Sequence, residues 1–272
     1  MTKKRKQRPV CLITGASAGI GAALAREFAK AGWDLALTAR REAPMLALAK
    51  ELKNDYGVTS HIIVADLAKP GACVDILERL ARKTSHIDGL VNNAGYGLTG
   101  KFMSNEWPAH KDFLTVMLEA PVEMTHHVLA GMKQRGFGRI INVSSLAGHI
   151  PGSNGHTLYG ATKGFLIKFS QSLNLELQGK NIKVSALCPG FTYSEFHDVN
   201  KTRSAVEKMP DWMWMSAEDV AESGFLALKR NKAVYIPGRA NKLIAAFAKL
   251  MPDTWALALM NRNSSKFRKV KK

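Results

Sequence analysis

Val10-Cys11-Leu12-Ile13-Thr14-Gly15-Ala16-Ser17-Ala18-Gly19-Ile20-Gly21 is the stretch that decides the fold. Its first five residues form a short apolar run suited to a strand buried on both faces. Three glycines follow. From Ala22 to Ala31 the apolar residues Leu24, Ala25, Phe28 and Ala31 then recur at helical spacing, and Gly32 supplies the stop. Strand, glycine turn and helix in that order make a turn that can hold phosphate. The glycines let the chain reverse sharply and let a pyrophosphate approach the backbone, while the helix N-terminus offers free N–H groups and a positive dipole end. A tight turn with no ligand would use the same residues, so the reading depends on what lies downstream.

Downstream, Asp34 to Ala39 reads as a second strand, ending at Arg40-Arg41. An NAD-binding unit places a carboxylate there to hold the ribose 2′-hydroxyl, whereas an arginine pairs with a 2′-phosphate. The absence of an acid predicts NADP(H), with Arg40 as the 2′-phosphate candidate; a surface arginine pair opening a polar helix is the competing account, stronger for Arg41. A helix over 43–56, a strand from His61 ending at Asp66-Leu67, a helix over 71–84, and a strand from Gly89 into Asn92-Asn93-Ala94-Gly95 follow. A long helical segment over 106–135 precedes Gly138 to Val143, strand-like up to Ser144 and Ser145. The next helix carries Tyr159, with Phe165, Leu166, Phe169, Leu173 and Leu177 as its expected buried stripe. A strand over Ile182 to Leu187 ends at Cys188-Pro189-Gly190, and a last strand is expected over 233–236. This alternation predicts an α/β fold, a single doubly wound parallel sheet with its strand ends gathered on one ligand-binding edge.

At 272 residues, 46% hydrophobic and 22% charged, the chain is long enough for one large domain. No run of 18 uncharged apolar residues occurs, and the N-terminus lacks the apolar stretch of a secretory signal, which predicts a cytoplasmic protein. Cys11, Cys73 and Cys188 are far apart and without metal-ligand spacing, so they read as reduced packing residues and no metal site is expected. Of the net charge of +17, residues 1–8 contribute five Lys/Arg and residues 262–272 six, all without acids, which leaves six for the body. The charge therefore belongs to two basic tails rather than to an interleaved basic and aromatic face, and nucleic acid is not the expected partner.

Tyr159 and Lys163 lie four residues apart, on one face of a helix, where the ammonium can favour the ionised phenol and make it a proton carrier at neutral pH. An isolated pair of this kind is more often an amphipathic contact than an acid and its helper. Its surroundings decide the matter, because Thr14-Gly15 to Gly21, Asp66, Asn92-Asn93-Ala94-Gly95, Ser145, Tyr159 with Lys163, and Pro189-Gly190 together resemble the short-chain dehydrogenase/reductase family over about residues 9–238. The resemblance implies a Rossmann fold and an NADP(H)-dependent oxidoreductase. It places Gly15, Ser17, Gly19, Ile20 and Gly21 around the pyrophosphate and adenosine ribose, Arg40 at the 2′-phosphate, Asp66 and Leu67 at the adenine, and Asn92, Ala94 and Gly95 along the adenosine side. It makes Tyr159 the general acid or base, Lys163 the partner that binds the nicotinamide ribose and lowers the tyrosine's pKa, and Ser145 the donor to the substrate oxygen. Pro189, Gly190 and Ser194 would line the nicotinamide.

Two departures mark this chain. Met117 stands where the family usually has an asparagine that helps hold a water in the proton relay, and a methionine cannot hold one. The interval from Ser145 to Tyr159 is 14 residues, one more than is common, which leaves open whether Ser144 or Ser145 faces the substrate and whether Ser153, Asn154 or His156 reaches the site. Past Gly190, Phe191, Tyr193, Phe196, Met209, Trp212, Trp214 and Met215 suggest a lid over a bulky apolar substrate, or simply a seal on the core. Residues 239–260 read as an amphipathic helical extension, with Leu243, Ile244, Phe247, Leu250 and Met251 on one face; it can pack on its own domain, on a second subunit in a homo-oligomer, or, with the basic tail over 261–272, on a membrane surface. Against the enzyme reading, Met117 and the basic end motivate a weakly catalytic or non-catalytic NADP(H)-binding sensor or interaction protein.

Overall fold

The computed structural model describes residues 7–98, 100–155, 157–195 and 210–267, the side chains of 261–267 excepted. Phe196, Met209, His156 and, of the basic tails, residues 1–6 and 268–272 therefore lie outside the described residues. Strands β1 (Val10–Thr14), β2 (Asp34–Ala39), β3 (Ser60–Val64), β4 (Gly89–Asn92), β5 (Gly138–Val143), β6 (Ile182–Leu187), β7 (Phe191–Tyr193), β8 (Trp214–Ser216) and β9 (Val234–Tyr235) alternate with helices. Those helices are α1 (Gly19–Lys30), α2 (Glu42–Tyr56), α3 (Ala72–Ala81), α4 (Trp107–Leu114), α5 (Ala120–Arg135), α6 (Thr157–Glu176), α7 (Ala217–Lys229), α8 (Arg239–Leu250) and α9 (Asp253–Phe267).

Seven strands form one sheet in the order β3-β2-β1-β4-β5-β6-β9, every pair parallel. The apolar runs build it because a strand covered on both faces must send alternate side chains into two cores. In β1, Cys11 and Ile13 enter the core shared with α1, α2 and α7, while Leu12 enters the opposite core with Met124, Leu173 and Leu177 of the α5 and α6 side. In β5, Ile141 and Val143 take the first core and Ile140 the second. Phe28 of α1 is fully buried, edge-on to Trp33 at 5.1 Å and to Phe225 at 4.9 Å between ring centroids. The three cysteines are free and buried, as expected.

Three local readings are corrected. The first helix begins at Gly19, three residues earlier than the apolar periodicity suggests, so that Gly19 and Gly21 belong to its first turn. The long segment before β5 is not one regular helix, since α4 and α5 are joined by a π turn over Thr115–Glu119 that contains Met117. Phe165 does not join the buried stripe of α6. It is 44% exposed and stacks on Phe169 at 6.0 Å, and the stripe is completed by Ile167 and Ser170 instead. The lid residues also acquire a structure that spacing did not suggest: β7 and β8 pair as a small separate parallel sheet, with Phe191 opposite Trp214.

Phe28→Ala removes a fully buried ring and is expected to lower unfolding free energy by about 3–5 kcal/mol. Phe165→Ala, at the surface, is expected to change it by no more than about 0.5 kcal/mol. Urea unfolding of the two variants checks both, and equal losses would contradict the packing described.

Candidate active site

The strand order reverses between β1 and β4, and there the carboxyl ends of the sheet open a crevice. Thr14 holds its two sides together: its hydroxyl donates to the Val91 carbonyl at 3.2 Å and accepts the N–H groups of Asn93 and Ala94, each at 3.0 Å. Asn93 Nδ2 returns two bonds to the Thr14 and Gly15 carbonyls, at 3.0 and 3.1 Å. The glycine turn is consequently pressed on β4. Gly15 has φ +66°, and a Cβ there would stand 2.8 Å from Ala94 Cα, while a Cβ on Gly21 would overlap the Gly15 carbonyl. A Cβ on Gly19 would meet Ser194 at 3.0 Å, so Ser194 sits over the same turn from the far side of the crevice.

The cradle suits a dinucleotide phosphate. The residue that caps α1, Ala18, offers its N–H groups no side-chain acceptor, and no acid stands in the first turn. Beside it, Asp66 and Leu67 are half-buried at the end of β3, and the Asp66 carboxylate accepts the Ala68 N–H at 3.1 Å. Arg40 is exposed and near enough for its charge to oppose the burial and the Asp112 carboxylate that push the Tyr96 phenol up. Arg41, and not Arg40, touches the glycine turn, donating to Ser17 Oγ at 3.3 Å. Asn92 is committed elsewhere: its amide is buried and donates to the Pro121 carbonyl, Thr125 Oγ1 and Asn142 Oδ1 at 3.2, 3.1 and 2.8 Å. Its amide nitrogen is thus turned away from the crevice, which Ala94 and the exposed Gly95 border next along the chain.

Across the crevice, Lys163 is 5% exposed and donates from Nζ to the Val143 carbonyl at the end of β5, at 2.8 Å. The same Nζ lies 5.7 Å from the centre of the half-buried Tyr159 ring. Burial pulls the Lys163 ammonium down to about 8. Ser144 is buried and donates to the Lys163 carbonyl at 2.6 Å, so its hydroxyl is occupied inside the fold. Ser145 is half-buried, and its Oγ accepts the Ala147 N–H at 3.1 Å, a contact that leaves the hydroxyl hydrogen for another acceptor. The loop after β6 is tied to this one, because the Leu146 N–H donates to the Pro189 carbonyl at 2.8 Å. Gly190 stands there without a side chain because Asn241 of α8 packs where its Cβ would be.

Met117 is buried against Gly95, whose Cβ would lie 2.9 Å from the methionine sulfur. A pocket beside Tyr159 is bordered by Leu98, Phe102, His110, Phe113 and Leu158. A cavity of about 380 Å³ lies between Gly152 and Asn154 of the loop before Tyr159 and Leu257 and Ala258 of α9. His110 and α9 were not singled out as site residues by sequence reasoning, since neither belongs to a motif. On the lid, Tyr193 stacks on Trp214 at 4.7 Å and Phe191 lies 5.4 Å from it, so these rings seal one another, while Trp212 remains 65% exposed. Among the described residues no cluster of His, Cys, Asp or Glu is arranged to hold a metal.

A family model described as short chain dehydrogenase matches residues 9–204. Sulfoacetaldehyde reductase 2 of Chromohalobacter salexigens is 35% identical over 221 residues, covering 78% of this chain and 85% of that protein. Among solved structures, a short-chain dehydrogenase from Sphingobium yanoikuyae in complex with NADPH is 32% identical with a TM-score of 0.79, covering 97% of this chain and 98% of that one. A bulky-bulky ketone specific alcohol dehydrogenase from Comamonas testosteroni is 34% identical with a TM-score of 0.74, covering 90% of this chain and 94% of that one.

The buried ammonium has a thermodynamic signature. The folded protein holds Lys163 at about 8 against an ordinary value of 10.5, so between these the unfolded chain binds more protons and stability rises with pH. Lys163→Met lacks this contribution. The difference in unfolding free energy between wild type and Lys163→Met is expected to move in favour of wild type from pH 8 to pH 10.5, and parallel curves across that window would contradict the burial of a charge.

Proposed function

The chain belongs to the short-chain dehydrogenase family, and from that premise we propose that it is an NADP(H)-dependent oxidoreductase interconverting a carbonyl and a secondary alcohol. The observation that carries the reading is the buried Lys163 ammonium, 5.7 Å from the centre of the Tyr159 ring and bonded to the Val143 carbonyl at the end of β5, the strand that leads into Ser145. NADP(H), when bound, supplies or accepts the hydride at nicotinamide C4. The lack of an acid at the end of β2, the arginines there and the likeness to an NADPH-bound relative all support the phosphorylated cofactor.

In the reducing direction Tyr159 gives its phenolic proton to the carbonyl oxygen as hydride reaches the carbon, and the alcohol forms. Lys163, held by the Val143 carbonyl, sets a positive charge near the phenol, which favours the phenolate left behind. Ser145 donates to the substrate oxygen; Ser144, whose hydrogen bond goes to the Lys163 backbone, keeps α6 in place instead. The apolar and aromatic side chains beside Tyr159, Leu98, Phe102, Phe113 and Leu158, favour an apolar substrate, and a bulky ketone is suggested by the ketone specificity in the Comamonas enzyme's description.

The extension supports assembly as a homo-oligomer. Leu243, Phe247 and Leu250 of α8 are 71%, 63% and 84% exposed, so of the three partners open to this face the chain's own domain does not cover it, and in α8 only Asn241 and Ala245 are buried. Lys242 and Lys249 beside that face make an anionic membrane surface the competing occupant. No helix among the described residues is long and apolar enough to cross a membrane, and the free, buried cysteines fit a reducing compartment, which supports a cytoplasmic location. Light scattering is expected to return a multiple of the 29.8 kDa chain mass, and a single-chain mass would remove the oligomer.

Tyr159→Phe is expected to cut turnover of a bulky ketone with NADPH by roughly 10²–10⁴-fold, the range of a lost general acid. NADPH binding, followed by its fluorescence, is expected to survive. Undiminished turnover would remove Tyr159 from the chemistry, and a wild type inert toward a broad panel of aldehydes and ketones would favour a binding protein over an enzyme.

A further inference from the structure

Arg41 and Glu195 form a 2.5 Å ion pair between the end of β2 and the segment after β7, residues 154 positions apart in sequence. The guanidinium nitrogen that holds Glu195, Nη2, is also the one that donates to Ser17 Oγ in the glycine turn. Both side chains are about half exposed, at 51% and 53%. No other acid pairs with Arg41, and no other base pairs with Glu195, among the described residues.

We propose that Glu195 is an internal competitor of the cofactor's 2′-phosphate for Arg41, and so a determinant of the preference between NADP(H) and NAD(H). The inference rests on the cofactor reading above. A carboxylate and a phosphate monoester present the same chemistry to a guanidinium, anionic oxygens that accept its N–H groups. Arg41 stands beside Arg40 at the end of β2, where the 2′-phosphate is expected, and it is Arg41 that reaches the glycine turn and pairs with Glu195. A phosphate arriving at Nη2 places two like charges on one guanidinium, and the carboxylate is the one that can leave, since it is exposed. The 2′-hydroxyl of NAD(H) carries no charge and has no cause to displace it. Glu195 therefore weakens NADP(H) binding specifically.

Glu195→Gln keeps the side chain's shape and removes its charge. NADPH fluorescence titration of the full chain is expected to show a dissociation constant lowered by about two- to fivefold, the scale of one exposed ion pair, with NADH binding unchanged. The gain should shrink as salt is raised. It should vanish in the Arg41→Ala background, because the competition needs the arginine. A Glu195→Gln variant that binds NADPH no more tightly, or tightens NADPH and NADH alike, overturns the competition while leaving the cofactor reading intact. A wild type that binds NADH as tightly as NADPH overturns both.

Discussion

The site depends on one ammonium held inside the protein. Lys163 loses most of its hydration, and a hydrogen bond to the Val143 carbonyl replaces part of it. A charge so placed destabilises the fold at neutral pH, and a neutral side chain of similar length would pack there with less cost. Its position is fixed from three directions: by the end of β5 through Val143, by Ser144 on its backbone carbonyl, and by the helix that also carries Tyr159. Cys188 lies close by, with its thiol pushed up to about 12 by burial, so it stays neutral and adds no counter-charge. A cation under this much constraint, with so little to neutralise it, is suited to a negative charge that appears only during reaction.

The sheet and the glycine turn were legible because each is dictated by local physical requirements. A strand covered on both faces needs an unbroken apolar run, and β1, β2 and β6 have the bounds those runs suggest. Gly15 and Gly21 admit no Cβ where the chain comes against Ala94 and against itself. What stayed hidden depends on long-range placement. Apolar spacing cannot tell that Phe165 faces out, since Phe165 and Leu166 are equally apolar and the rotation of α6 is set by the sheet beneath it. Nor can spacing reveal a π turn at Met117, which inserts one residue into a helical phase that is already ambiguous.

Within the site the same division holds. The sequence offers Ser144 and Ser145 alike, and only the direction of each hydroxyl separates them: one turns to the Lys163 carbonyl, the other caps the short turn that starts at Leu146. Asn92 lies in a motif associated with cofactor, yet its amide is consumed by Asn142, Thr125 and Pro121, which makes it a brace between β4, β5 and α5. The extension was readable as amphipathic and unreadable as to partner, because amphipathicity states that a face must be covered and not by what.

The two halves of the crevice are built differently, and this explains why the cofactor is easier to read than the substrate. The dinucleotide side is made of backbone at the ends of strands, where glycine, Thr14 and Asn93 fix positions to within a van der Waals contact, and such requirements leave a signature in residue type. The side expected to take the substrate is made of side chains from a loop, a small separate sheet and two terminal helices, any of which accepts many apolar residues of similar volume. Arg41 and Glu195 join the end of β2 to the segment after β7 directly, as a charged contact. Neither residue belongs to a motif that marks it. Their relation exists only when the fold brings the end of β2 and the segment after β7 together, so no spacing along the chain could announce it.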